Sequence, residues 1–154
     1  MDKTNVMRIL DQKKIPYTPY EYSGEITEGV VIAATLGEPK ERVFKTLVTV
    51  SNTSQNFVFC IPVAETLDLK KAAKTVGVKS ISMIKQKELL PLTGYIHGGC
   101  SPVGMKKAFR TVIHRSAAEF ETFFVSAGKV GYQIQVSPEK LAKLVRAEFA
   151  DIII

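Results

Sequence analysis

The spacing of hydrophobic and polar residues changes several times along this chain, and each change marks a predicted element. Near the start, Val6, Ile9 and Leu10 recur at helical spacing behind Thr4, whose side-chain oxygen suits a helix N-cap, and Pro16 lies beyond. The pattern predicts a helix over Asn5 to Lys13. Tyr17 to Tyr22 is rich in aromatics and interrupted by Pro19, which lacks an N–H, so it is predicted to be extended. Val30, Val31, Ala33 and Ala34 predict a second helix from about Glu28 to Leu36, packed tightly on a sheet, beginning at Thr27 and ended by a left-handed Gly37.

The strongest strand signal follows. Val43 to Val50 and Phe57 to Ile61 are dense in β-branched and aromatic residues and flank the polar turn Ser51 to Asn56, the pattern of a β-hairpin. Leu67 to Val76 reads as an amphipathic helix, with Thr66 or Asp68 at its start and Gly77 at its end. Short strands are predicted at Ser80 to Ile84, Gly94 to His97, Arg110 to His114, Thr122 to Ser126 and Tyr132 to Val136, with a short helix at Lys85 to Leu90. A closing helix has Ser137 as N-cap, Pro138 at its first position, and Leu141, Leu144, Val145 and Phe149 at helical spacing. Strands and helices alternate without a βαβ rhythm, which predicts an α+β fold on a mixed, curved sheet.

Composition narrows the class. With 154 residues, 45% hydrophobic and 23% charged, one ordered domain over residues 1–154 is expected. The longest apolar runs, Val30 to Leu36 and Phe57 to Ala64, fall short of the roughly 20 residues a spanning helix needs, so no membrane contact is expected. The N-terminus lacks a secretory pattern, and Cys60 and Cys100 alone make no disulfide framework, which points to a reduced, cytoplasmic protein. A net charge of +6 and a pI near 9.3 favour a polyanionic partner. No Lys/Arg run exceeds two residues, so a basic surface must be assembled in three dimensions. Lys70, Lys71, Lys74, Lys106, Lys107, Arg110 and Arg115 are its candidates, and each taken singly also fits an ordinary solvated cation.

Two segments carry candidate chemistry. Lys45 is the only charge between Val43 and Val50, on the strand face shared with Val43 and Leu47; a cation there needs a partner or a cavity. It fits a site lysine that meets a phosphate, a carboxylate or a developing oxyanion, and equally a lysine whose stem lies along an edge strand with its head in water. In the second segment, Gly94 to Lys107, the Gly98-Gly99 pair allows close backbone approach, and consecutive free N–H groups there suit an anion cradle; an ordinary glycine turn is the alternative. Gly99 and Gly104 have P-loop spacing, but Met105 follows Gly104, Lys106 is followed by Lys107, and Pro102 lacks an N–H, which excludes a nucleotide P-loop.

Cys100 lies three residues after His97, a spacing that gives no sign of the convergent geometry a cysteine nucleophile and its base require. His97, Cys100, His114 and Cys60 show no paired-ligand spacing, so no metal is expected. Phe123 to Gln133 reads as a hairpin whose loop carries Ser126 and two glycines.

Taken together, VFKTLV around Lys45, GYIHGGCSPVGMKK from Gly94 to Lys107 and FVSAGKVG from Phe124 to Gly131 resemble, in order and spacing, the YbaK family. These are relatives of the prolyl-tRNA synthetase editing domain, and YbaK-type members are Cys-tRNA(Pro) deacylases. The resemblance spans nearly the whole chain, including LDLKKAAK (Leu67 to Lys74) and AEFADI (Ala147 to Ile152). It implies a barrel-like sheet with packed helices, and an aminoacyl-tRNA partner whose 3′ terminal adenosine enters the site, with prolyl-tRNA synthetase as a further partner. No cofactor is implied.

By the same resemblance Lys45, Gly98 and Gly99 are the catalytic positions. Tyr22, Thr46, Ser101, Pro102, Gly104, Ser126 and Gln133 line or shape the substrate pocket, with packing roles open for Tyr22 and Ser126. In the mechanism proposed for the family, the thiol of a mischarged cysteine attacks its own ester, so the protein supplies position and oxyanion stabilisation. One departure bears on substrate choice. Where YbaK-type members carry aspartate in a Gly-Leu-Asp-Ile context, this chain has Gly131-Tyr132-Gln133-Ile134, losing a partner for a substrate ammonium or for Lys45. Ala127 and Cys100 replace positions commonly glycine and isoleucine. The alternative to an enzyme is a non-catalytic relative that binds an aminoacyl or adenosine ligand, or a synthetase.

Overall fold

The computed structural model describes residues 1–154. In chain order the elements are α1 (Asn5–Gln12), β1 (Tyr17–Glu21), α2 (Gly29–Leu36), β2 (Phe44–Ser51), β3 (Asn56–Pro62), α3 (Leu69–Val76), β4 (Ile81–Met83), α4 (Gln86–Thr93), β5 (Arg110–His114), β6 (Phe123–Ser126), β7 (Tyr132–Val136), α5 (Pro138–Val145) and β8 (Glu148–Ala150). Short 3-10 turns at Lys40–Arg42 and Arg115–Glu119 complete the set. No helix is long and apolar enough to cross a membrane.

The predicted hairpin organises the larger sheet. β2 and β3 pair antiparallel from Phe44 opposite Pro62 to Val50 opposite Asn56, within a five-stranded sheet of order β4-β2-β3-β5-β8. The β3–β5 and β5–β8 pairs are parallel, so this sheet is mixed, as the sequence predicts. A separate three-stranded antiparallel sheet has the order β1-β7-β6. A single bridge, Val43 to Phe124, links them, so the strands form two open sheets and not a closed barrel.

Strand alternation divides the core. On β3, Phe57, Phe59 and Ile61 face α3 and its Ala72, Ala73 and Val76, while Cys60 points into the main core with Phe44, Phe123, Ile134 and Leu141. α1 seals that main core with Val6, Met7 and Leu10, and Thr4 caps it by accepting from the Met7 N–H at 3.2 Å. Ala33 of α2 packs with Val43, Val63 and Phe124 in a smaller cluster, which seats α2 over the junction of the two sheets.

Several sequence expectations are corrected. Gly94 to His97 is not a strand: α4 continues through Pro91 to Thr93, and Gly94 terminates it in the left-handed region. The closing helix stops at Val145, where Arg146 takes a left-handed φ of 57°. Phe149, expected on that helix, belongs to β8, which pairs parallel with β5. α2 buries Ile32 and Ala33 but leaves Val30 and Val31 exposed, so its packing on the sheet is narrower than expected.

Candidate functional site

A cavity of about 400 Å³ opens where the N-terminus of α2, the first half of β2, the loop after α4 and the adjoining ends of β6 and β7 converge. β2 contributes Lys45 and Thr46 to its wall. The loop contributes His97, Gly98 and Cys100, and the smaller sheet contributes Ser126 and Gln133, which stand opposite each other in the β6–β7 register. Thr27 and Glu28 close the α2 side, while Val30, Leu47 and Leu89 make part of the lining apolar.

Lys45 takes part in none of the protein's ion pairs. Burial lowers its pKa, and the charge of Glu65 opposes that shift. Its ammonium is thus a half-buried cation facing a cavity without a fixed counter-ion. Thr46 Oγ1 lies 3.7 Å from Cys60 Sγ.

The glycine loop is held from below. Tyr95 Oη donates to the Val103 carbonyl, and the fully buried Ser101 Oγ accepts from the Val103 N–H at 3.2 Å. Gly98 has a φ of +86°, and a Cβ there would come within 2.8 Å of Thr27 Cγ2, so the loop can approach α2 closely only as glycine. The Gly99 N–H is spent on the Ile96 carbonyl at 3.0 Å. The N–H groups of Gly98 and Cys100 have no acceptor in the protein, and both residues line the cavity.

The structure thus gathers Lys45, Thr46, Gly98, Ser126 and Gln133 around one cavity and leaves the other expected positions outside its lining. Gly99 is packed on the Lys129–Val130 backbone. Ser101 is a buried brace, and Pro102 and Gly104 face a second cavity of about 290 Å³ shared with Ile9 and Arg146. Tyr22 sits behind the wall with its hydroxyl buried and unpartnered. Burial raises the pKa of that hydroxyl, and the neighbouring Gln133 amide acts against the shift. Gln133 is 4% exposed and its Oε1 has no hydrogen-bond partner. Ser126 Oγ accepts from the Gly128 N–H at 3.1 Å and so also braces its own turn.

Both thiols are pushed up to about 12, chiefly by burial. Near neutral pH they are protonated, which agrees with the sequence argument against a Cys100 nucleophile. His114 lies away from the site, where its Nδ1 accepts from the Ile152 N–H at 3.3 Å, and no three His, Cys, Asp or Glu side chains gather closely enough to hold a metal. Of the candidate basic residues, Lys71 is paired with Asp151 at 2.9 Å and Arg110 with Glu148 at 2.8 Å. Sequence reasoning missed Glu28, His97 and Leu89 as lining residues. Glu28 showed only as a helix start, and no pattern signals which side of a helix start faces a cavity.

Fold and site together define a mixed α+β domain whose cavity is lined by a cation that makes no ion pair and by loop residues whose backbone N–H groups have no acceptor in the protein. The chain belongs to the aminoacyl-tRNA editing domain family, whose profile matches residues 26–144. A relative in Enterococcus faecalis, named as a proposed Cys-tRNA(Pro)/Cys-tRNA(Cys) deacylase, EbsC, is 46% identical over 152 residues, covering 97% of this chain and 93% of the relative. A proline–tRNA ligase of Burkholderia orbicola is 28% identical over 107 residues, which is 67% of this chain but 18% of the ligase. The solved structure of a proposed trans-editing enzyme for prolyl-tRNA synthetase superposes with a TM-score of 0.85 at 21% identity, covering 100% of this chain and 99% of that one, a likeness of fold.

Proposed function

We propose that this chain is an aminoacyl-tRNA deacylase that acts in trans as a single editing domain, cleaving the aminoacyl ester of mischarged tRNA, with Cys-tRNA(Pro) as its leading substrate. Near-full-length likeness to the Enterococcus relative supports the reaction class. The observation that carries the reading at the site is the unpaired Lys45 on a cavity also lined by Gly98 and Cys100, whose N–H groups have no acceptor in the protein. Lys45, Gly98, Thr46, Ser126 and Gln133 are the residues assigned to substrate. Gly99, Ser101, Pro102, Gly104 and Tyr22 hold the loop and wall in shape.

In the reaction so assigned, the cysteinyl thiol of the substrate attacks its own ester carbonyl carbon. A C–S bond forms as the C–O bond to the terminal ribose breaks, the thiol proton passes to the departing ribose oxygen, and water then opens the thiolactone to free cysteine. No protein nucleophile and no cofactor enter this sequence. The protein holds the reacting atoms together and stabilises the oxyanion, with the two free N–H groups and the Lys45 ammonium as donors. The apolar lining of Val30, Leu47 and Leu89 suits the adenine ring of the tRNA 3′ end. A small domain has little surface for reading a tRNA, so tRNA choice falls to a synthetase partner, and the compartment of this work is the cytoplasm. The barrel-like curvature implied by the family would come from closing the two sheets about the Val43–Phe124 bridge.

Gln133 favours a second reading, a non-catalytic ligand-binding relative, because an amide stands where the family carries a carboxylate. Deacylation of Cys-, Ala- and Pro-charged tRNA(Pro) by the wild type and Lys45→Ala separates the two. The enzyme reading expects release of cysteine and a loss of about 10²–10³ in kcat/KM for the variant. Absence of hydrolysis at any enzyme excess favours the second reading.

A further inference from the structure

Building on the deacylase reading, we propose that Glu28 recognises the free α-ammonium of the aminoacyl group, with Gln133 Oε1 as a second acceptor, so that the site selects aminoacyl esters over N-acylated ones. Glu28 is the only carboxylate among the residues that line the cavity. Its carbonyl accepts the first α2 bond, from the Ile32 N–H at 2.9 Å, but its exposed side chain makes no ion pair and does not cap the helix, although it occupies the N-cap position of α2, where a shorter polar side chain would turn in to bond the helix backbone. Its charge is not spent on Lys45, for the acid that acts on Lys45 is Glu65.

The placement of Glu28 is fixed from both sides. A Cβ on Gly29 would lie 2.4 Å from Val63 Cγ1, so α2 begins in direct contact with the residue that follows β3, and on the other side Thr27 packs against Gly98. The carboxylate is therefore carried at the cavity rim by backbone that has little room to shift. Inside, Gln133 is 4% exposed and its Oε1 has no hydrogen-bond partner; the Tyr22 hydroxyl beside it is likewise unpartnered, and a ligand donor would satisfy the amide oxygen.

The substrate's chemistry matches this pair. The α-nitrogen is attached to the carbon next to the ester carbonyl, so a carbonyl oxygen held by Lys45 and the loop N–H groups brings the ammonium into the same cavity. An ammonium has three donors and a positive charge, enough for one carboxylate and one amide oxygen. Acylating that nitrogen removes the charge and two of the donors, adds bulk, and leaves Glu28 without its ion pair. Esters of tRNA with a formyl or peptidyl group on nitrogen would thus be spared.

The test is calorimetric binding of 3′-deoxy-3′-(L-cysteinylamino)adenosine and its N-acetyl form, whose amide link resists hydrolysis, to the wild type and Glu28→Gln. We expect the wild type to bind the free amine about tenfold more tightly, the effect of one charged hydrogen bond, and Glu28→Gln to bring the ratio to within about twofold. Equal binding of both forms by the wild type, an undiminished preference in the variant, or no binding of either form overturns the inference. Deacylation of charged tRNA is scored separately, so lost hydrolysis with an intact amine preference counts against the deacylase reading alone.

Discussion

Burial and charge are in tension at Lys45. Removing part of an ammonium from water lowers its pKa and costs stability unless an anion compensates, and no carboxylate of the protein comes within ion-pair distance. A ligand oxygen is the compensation that the cavity permits. The question was legible in the sequence, where a lone charge within an apolar strand fits either a site lysine or one whose stem lies along an edge strand with its head in water. Which amides of the glycine loop are free was not legible: Gly98 and Gly99 look equivalent in the sequence, and only the turn back to Ile96 consumes the Gly99 N–H. Gly98→Ala should both strain the left-handed backbone and press on Thr27, costing about 1–3 kcal/mol of stability together with most of the activity. A thermal melt that matches the wild type, with deacylation retained, would refute that account of the loop.

At the scale of elements, the hairpin and the capped helices were readable because local chemistry determines them. Thr4, Asp68 and Ser137 all accept backbone N–H bonds at the helix starts where the sequence placed them or offered them as alternatives. The segment after Gly94 and the strand β8 were not readable, since three residues of β8 are extended only by pairing with β5, a contact remote in sequence. β8 also leads to a pH-sensitive attachment. The Ile152 N–H donates to His114 Nδ1, which must be unprotonated to accept it, and burial lowers the His114 pKa against the opposing effect of Asp151. Because the folded value lies below the unfolded one of about 6.5, this contribution is complete above that pH and is lost as pH falls through the folded value. Asp151, whose pKa is itself lowered by Lys71, loses its contribution only at lower pH, in the carboxylate range. Melting temperature should therefore fall as pH drops below about 6.5, and His114→Gln, which keeps an acceptor, should flatten that fall. An unchanged slope in the variant would place the pH response elsewhere.

For the whole molecule, a charge of +6 sits on a small domain whose cavity measures about 400 Å³, room under the proposed function for only the end of a tRNA. Lys106 and Lys107 continue the site loop, are exposed, and make no ion pairs, whereas Lys71 and Arg110 are paired to acids. The double variant Lys106→Ala, Lys107→Ala should raise KM for charged tRNA several-fold and reduce its salt dependence, while turnover of a minimal cysteinyl-adenosine ester is unaffected. Equal effects on both substrates would mean that the pair shapes the loop and does not meet phosphate.

The central claim is that Lys45 and the loop N–H groups stabilise an ester in collapse while the substrate supplies its own nucleophile. The most direct measurement is single-turnover deacylation of Cys-tRNA(Pro) beside Ser-tRNA(Pro), the same ester with oxygen in place of sulfur, by the wild type and Lys45→Ala. The account predicts rapid loss of the cysteinyl ester with a transient thiolactone, little loss of the seryl ester, and a slow reaction for the variant. Equal rates for the two esters, or full activity without Lys45, would contradict it.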